Sequence, residues 1–131
     1  MTLVDTTVWI DYLGGAMNPH THWLDQELHR QRLGLTDLIL CEVLQGIRGD
    51  AIFRRVRREM MKFEVFDTGG VELAVTSAEN YRTLRAQGHT ARKTIDCLIA
   101  SFCILNGHSL LHRGHDFDAF EKHLGLRVVH P

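Results

Sequence analysis

The sequence predicts an α/β domain in which a largely parallel sheet is covered by helices on both faces. Short apolar segments alternate along the chain with longer segments of helical periodicity. Most glycines fall between these segments, where turns are expected. The 131 residues, 44% hydrophobic and 24% charged, suit one soluble globular domain, 1–131. Strands that alternate with helices are typical of a parallel sheet buried on both sides.

The predicted strands are short, and each is bounded by turn or capping residues. They cover residues 2–5, 33–35, 63–66, 109–112 and 127–130. The predicted helices have apolar residues at a spacing of three or four. They cover residues 8–13, 19–31, 36 to about 49, 53–63, 71–87, 94–106 and 117–124.

Individual residues mark the ends of several helices. Thr36 and Thr94 are expected to be N-caps, and Gly88 has the position of a glycine that ends a helix. The helix 94–106 is apolar on most sides, which predicts a central, buried helix.

Three aspartates are predicted to meet at one edge of the sheet. Asp5 follows the first strand, and Asp96 lies in the first turn of the buried helix. Asp116 follows the strand 109–112 after a short turn and is expected to open the next helix. In open α/β sheets, ligands bind outside the carboxyl ends of the strands. Glu42 joins this group because it lies on the flank of the apolar face of the helix 36–49.

Each acid also has a purely structural interpretation. Asp5 could cap the turn that follows the first strand, and Asp96 and Asp116 have types common at helix starts. Glu42 could be a solvated helix residue. Together, however, four close carboxylates would repel one another unless a cation neutralised them. Ligation by oxygen alone suits Mg²⁺ or Mn²⁺ rather than zinc, and such an ion can activate water against a phosphodiester.

The overall charge of −1 does not indicate a polyanion partner. One segment, 53–63, is strongly basic, with Arg54, Arg55, Arg57, Arg58 and Lys62 against a single acid. Such a segment is either a solvated helix face or a surface that holds RNA or a protein partner.

The sequence also indicates a cytoplasmic protein without a membrane segment. Its N-terminus resembles a first core strand rather than a leader, and no apolar run reaches about 20 residues. Cys41, Cys97 and Cys103 form no CxxC pair and lie in apolar helical patterns, so buried, reduced thiols are expected.

Other enzyme classes are disfavoured. The sequence has neither a GxxxxGK[ST] nor a GxGxxG motif, which excludes P-loop and dinucleotide sites. A phosphatase of the haloacid dehalogenase type needs a second acid two residues after the first, and Thr7 occupies that position.

Four segments in order resemble the PIN domain, and more narrowly the VapC-type toxins of bacterial toxin–antitoxin pairs. They are LVDTTVWIDYL (3–13), ILCEVLQGIR (39–48), TIDCLIASFCI (94–104) and LLHRGHDF (110–117). The resemblance extends from residue 2 to about 129. It implies a compact three-layer α/β/α sandwich with a central, mostly parallel sheet, and Mg²⁺- or Mn²⁺-dependent endoribonuclease activity. Asp5, Glu42 and Asp96 match the principal acids of the family, and Thr7 matches a hydroxyl that supports the site, although it could also cap the helix 8–13.

The last segment departs from the family pattern. Where the family often has an acid two residues before the last aspartate, this chain has Gly114. Asp116 would then serve alone, and we expect one well-held ion, with any second ion depending on substrate phosphate. His112 or His115 could compensate, or both could be ordinary hydrogen-bonding residues, and Arg113 could meet a phosphate. A PIN-like binding module that has lost or weakened catalysis is the alternative.

The resemblance also implies partners. These are a structured RNA substrate (tRNA, rRNA or mRNA), a second copy of the chain, and a small VapB-type antitoxin that occupies the active-site groove. Leu38 and Cys41 are candidate contacts for the antitoxin, unless they pack against a neighbouring helix. Arg48 and the basic segment could lie beside the groove and hold phosphates.

Overall fold

The computed structural model describes all residues from 1 to 131 and contains a five-stranded sheet flanked by seven helices. Along the chain the elements are β1 (Thr2–Val4), α1 (Thr6–Leu13), α2 (Pro19–Glu27), β2 (Leu33–Thr36), α3 (Asp37–Gln45), α4 (Asp50–Met60), β3 (Glu64–Phe66), α5 (Val71–Ala86), α6 (Thr94–Asn106), β4 (Ser109–Leu111), α7 (Asp118–Leu124) and β5 (Arg127–Val128). All strand pairs are parallel, so the predicted α/β class is confirmed.

The strand order β3-β2-β1-β4-β5 places the first strand at the centre of the sheet. The chain builds outward from β1 to β3 on one side, and then returns to add β4 and β5 on the other. The carboxyl ends of β1 and β4 therefore flank the point where the strand order reverses. Open α/β sheets bind ligands at this point.

The sheet is central because its strands are apolar on both faces. Leu3, Val4, Leu110 and Leu111 are fully buried within one core cluster of 21 residues. Gly34 in β2 is required by close packing, since a Cβ there would lie 3.0 Å from side-chain atoms of three neighbours. No helix is both long enough and apolar enough to cross a membrane.

Several predicted boundaries need correction. The helix expected to reach residue 31 ends at Glu27, and α3 ends at Gln45 because the chain turns at Gly46. The basic helix begins at Asp50, earlier than expected, and the last strand has only two residues. The N-cap of α6 is Lys93 rather than Thr94, and it makes no side-chain capping bond. Thr36 caps α3 as predicted, by accepting the N–H of Ile39.

One of the three thiols is also placed differently. Cys97 and Cys103 are buried free cysteines, as expected, whereas Cys41 is exposed on α3. Its neighbour Leu38 is half-buried and packs against the core cluster. The apolar pattern of α3 is therefore wider than the face that the core covers.

Candidate active site

A cavity of about 270 Å³ opens at the carboxyl ends of β1 and β4. All four acids predicted from the sequence line it, together with Thr7. The complete lining is Asp5, Thr6, Thr7, Ile10, Glu42, Gln45, Lys93, Asp96, His112, Arg113, Asp116 and Phe117. We call it the acidic cavity. The fold thus brings Asp5 and Asp116, which are 111 positions apart in the sequence, to one place.

Asp5 is held rigidly at the base of this cavity. It is 97% buried, immediately after β1, and is the N-cap of α1. Its Oδ2 accepts hydrogen bonds from the Thr7 N–H, at 3.2 Å, and from the Thr7 hydroxyl, at 2.7 Å. Burial raises the pKa of Asp5, and the bonds from Thr7 oppose that rise. The carboxylate of Asp5 therefore both caps α1 and lines the acidic cavity.

Thr7 links two sides of the acidic cavity. Its Oγ1 donates to Asp5 and accepts the backbone N–H of Arg113 at 3.1 Å. The guanidinium of Arg113 in turn pairs with Asp11 on α1, at 2.7 Å. Thr7 is not the cap of α1, because the helix begins at Thr6 and Asp5 caps it. Its hydroxyl instead ties the loop after β4 to the loop after β1.

Glu42 is half-buried on α3 and is oriented by a residue that sequence reasoning missed. The hydroxyl of Thr6 donates to Glu42 Oε1 at 2.8 Å. These residues are 36 positions apart, so only the packing of α1 on α3 brings them together. The sequence feature that could have pointed to Thr6 is that two threonines, rather than one, follow Asp5.

Asp96 lies in the first turn of α6, is 92% buried and lines the acidic cavity with the other acids. Burial, followed by the charges of Asp5 and Asp116, raises its pKa to about 6, and Lys93 opposes the rise. The charge effects show that the carboxylates lie close enough to repel one another. Lys93 and Gln45 were not recognised from the sequence, although a lysine three residues before Asp96 is a visible feature.

Asp116 is exposed and lies in the turn before α7 rather than at the start of that helix, which has Phe117 as its N-cap. Gly114 has a φ of +123°, and a Cβ at this position would meet nothing within 4 Å. The missing second acid therefore coincides with a backbone conformation that L-residues rarely adopt. His112 lines the acidic cavity, and His115 lies outside it, bonded to Asp118 at 2.9 Å.

The four carboxylates offer only oxygen ligands, which suit Mg²⁺ or Mn²⁺. No three acidic, histidine or cysteine side chains lie close enough together to enclose an ion. The carboxylates share a cavity, however, and the pKa of Asp96 is raised first by burial and then by the charges of Asp5 and Asp116, a repulsion that a divalent cation would relieve. The chemistry of the four carboxylates thus suits such an ion.

Comparison with known proteins extends these observations to the whole chain. The sequence profile described as "PIN domain" matches residues 2–123. Ribonuclease VapC11 of Mycobacterium tuberculosis is 26% identical over 131 residues, with 98% of both chains covered. A protein of Mycobacterium bovis that is named a VapC ribonuclease has the same identity and coverage.

Solved structures show the same fold at lower identity. VapBC2 from Rickettsia felis, bound to a DNA fragment from its promoter, has a TM-score of 0.78 at 14% identity, covering 98% of this chain and 96% of that one. FitAcB from Neisseria gonorrhoeae has a TM-score of 0.76 at 20% identity, covering 100% and 98%. Since the family profile matches most of the chain and spans every residue that lines the acidic cavity, the chain belongs to the PIN domain family.

Proposed function

We propose that this protein is the ribonuclease toxin of a VapBC-type toxin–antitoxin pair, an endoribonuclease that depends on Mg²⁺ or Mn²⁺. The observation that carries the proposal is the acidic cavity, in which a PIN domain gathers Asp5, Glu42, Asp96 and Asp116. The relatives named VapC ribonuclease support it, because they match over nearly the full length of both chains.

In this proposal Asp5, Glu42, Asp96 and Asp116 hold the divalent ion. When bound, the ion lowers the pKa of water and neutralises charge on the scissile phosphate. Asp5 is suited to a fixed ligand position, since its Oδ2 is anchored by two hydrogen bonds from Thr7. One ion is expected, because Gly114 supplies no carboxylate beside Asp116.

Asp116, a lysine and two threonines of the cavity have further roles that follow from their charge, exposure and hydrogen bonds. Asp116 is exposed and makes no side-chain hydrogen bond, so the carboxylate oxygen that does not bind the ion can orient the attacking water or accept its proton. The ammonium group of Lys93 lines the same cavity and can neutralise a phosphate oxygen. Thr6 and Thr7 are positioning residues, since they act through Glu42 and Asp5.

The solved neighbours, several of which are toxin–antitoxin complexes, support the proposed antitoxin partner. We propose a small VapB-type antitoxin and a homodimer of this chain. Cys41, exposed on α3, is the better of the two candidate antitoxin contacts, because Leu38 is partly covered by the core. Size-exclusion chromatography with light scattering, on the chain alone and with the antitoxin, measures both assemblies.

The decisive experiment is cleavage of total RNA by the purified chain, followed by sequencing of the new ends. We expect cleavage with Mn²⁺ or Mg²⁺, none with EDTA, and at least a hundredfold loss in Asp5→Asn and Asp96→Asn. Asp25→Asn is the matched control, because Asp25 is exposed, lies outside the acidic cavity and makes one side-chain hydrogen bond, which it accepts from Tyr12. Equal activity in EDTA, or full activity in Asp96→Asn, would contradict the proposal.

A second candidate is a PIN-like module that binds RNA or protein with lost or weakened catalysis. Gly114 and the open spacing of the acids favour it. Thermal stability with added Mn²⁺ separates the two. A rise in melting temperature that Asp96→Asn abolishes supports the enzyme, whereas no rise in either form supports the binding module.

A further inference from the structure

A second cavity, of about 360 Å³, adjoins the acidic cavity, and apart from Asp116 none of its lining residues has a role in the reaction proposed above. The loop between α5 and α6 (88–92) forms one wall, and α7 with the turn before it (115–123) forms the other. We call it the histidine cavity, because His89, His115 and His123 line it. Asp116 lines both cavities, so the two adjoin at this residue.

Two of these histidines meet across the histidine cavity. The Nε2 atoms of His89 and His123 are 3.1 Å apart, and the ring centroids are 4.7 Å apart. At this distance one neutral ring donates its N–H to the lone pair of the other. If both rings carry a proton on Nε2, they repel unless an acceptor lies beside them. An anion satisfies both donors at once.

The fixed charges of the histidine cavity also favour an anion. Arg92 and Lys122 line it, and neither forms an ion pair within the chain, so both charges are available to a ligand. Of the two acids in the lining, Asp118 is bonded to His115 at 2.9 Å, which leaves Asp116 as one unpaired acid against the two unpaired cations. Arginine and lysine are the residues that neutralise phosphate groups in complexes with nucleic acids.

A metal ion fits this cavity less well, although two facing imidazoles can bind one. No third histidine, cysteine or acid stands close enough to complete a site. Arg92 and Lys122 would repel a divalent cation. The arrangement of donors and positive charges therefore matches an oxyanion.

We propose that the histidine cavity binds a backbone phosphate of the RNA strand, next to the phosphate that is cleaved. This inference rests on the proposed ribonuclease function. A strand whose reacting phosphate lies in the acidic cavity reaches the histidine cavity directly across Asp116. His89, Arg92, Lys122 and His123 then fix the position of the strand, and none of them touches the reacting atoms.

The test is equilibrium binding of a fluorescent ten-nucleotide single-stranded RNA of mixed sequence, in EDTA so that no strand is cut. We expect Arg92→Gln and Lys122→Gln each to raise the Kd by about three- to tenfold and to lower the slope of log K against log salt by about 0.7. Arg82→Gln is the matched control, because Arg82 is exposed on α5, forms no ion pair and lies outside both cavities. It is expected to change neither quantity.

Nuclear magnetic resonance of the histidine rings locates the contact. We expect the RNA to shift the ring signals of His89 and His123, while the signals of exposed His29 stay in place. If Arg92→Gln and Arg82→Gln behave alike, or if the RNA leaves both ring signals unmoved, the inference is overturned. Shifts with inorganic phosphate but not with RNA would assign the cavity to a free anion and also overturn it.

Failure of this inference can be distinguished from failure of the proposed function. A wild-type chain that cleaves RNA, with Lys122→Gln and Arg92→Gln indistinguishable from the control, overturns only the phosphate site. A wild-type chain that neither binds nor cleaves RNA overturns both. Lys122 and Arg92 are exposed, so their substitution leaves the core unchanged.

Discussion

The hydroxyl of Thr6 donates a hydrogen bond of 2.8 Å to Oε1 of Glu42, and so joins the first turn of α1 to the middle of α3. Thr6 is buried, whereas Glu42 is half-buried, so the bond fixes the carboxylate at the rim of the acidic cavity. The neighbouring Thr7 does the same for Asp5. Two adjacent threonines thus position two of the four acids.

Replacing Thr6 by valine should therefore reduce RNA cleavage without unfolding the protein. Valine retains the shape of threonine and removes only the donor, which costs about 1 kcal/mol of stability. A comparable loss of transition-state stabilisation corresponds to about a fivefold fall in kcat. Cleavage rates and melting temperatures measure the two effects. Thr83→Val, which removes an exposed hydroxyl on α5, is the control; equal rates in both variants would contradict the assigned role.

Replacing Thr7 by serine and by valine should have different effects on RNA cleavage. Thr7→Ser keeps the hydroxyl that donates to Asp5 and accepts the Arg113 N–H, whereas Thr7→Val removes both bonds. We expect near-normal cleavage in the serine variant and a loss of about tenfold or more in the valine variant. The pH profile separates this role from a structural one. Without the Thr7 bonds the pKa of Asp5 rises further, so the acid limb of the profile should move to higher pH.

The location of the acids followed from local patterns, whereas the contacts that orient them did not. An aspartate after an apolar strand, or in the first turn of an apolar helix, is visible in the sequence, and parallel topology brings such positions to one edge. The bond from Thr6 to Glu42 depends on how α1 packs against α3, which no local pattern specifies. For the same reason Cys41 was expected to be buried and is exposed.

Asp96→Asn should stabilise the metal-free protein near neutral pH. The pKa of Asp96 is about 6 in the folded chain, against 3.8 for the ordinary carboxyl, so folding favours the protonated form. Its contribution to stability is complete below about pH 4 and is lost as the pH rises through about 6. At pH 7.5 the asparagine variant avoids an ionised carboxylate among three others. We expect a gain of roughly 1–2 kcal/mol, less than the full shift implies because water reaches the cavity.

Urea unfolding of both forms in EDTA measures this difference, which should shrink towards pH 4. Asp25→Asn serves again as the exposed control. Added Mn²⁺ should reverse the order, since an ion that binds only the folded wild type stabilises it by mass action. Equal stability of wild type and Asp96→Asn at pH 7.5 would contradict the predicted repulsion.

Restoring the missing acid at position 114 should not improve the enzyme. Gly114 has a φ of +123°, so any L-residue there is strained, although space for a side chain is available. We expect Gly114→Asp and Gly114→Ala to lose similar stability, about 1–2 kcal/mol, because the cost lies in the backbone. Thermal unfolding checks this. An aspartate variant as stable as wild type and more active than the alanine variant would show that the loop adapts to a second ligand.

The arginines of α4 test whether that helix is more than a solvated face. Val56 and Met60 are buried, whereas all four arginines of α4 are exposed and form no ion pair, since Glu59 pairs with Lys62. Neutralising Arg54 and Arg55 together should weaken RNA binding and lower its salt slope by about 1.4, if each contacts a phosphate. The fluorescent RNA used for the histidine cavity provides the measurement. A salt slope equal to that of Arg82→Gln would mean that the basic residues of α4 form only a solvated helix face.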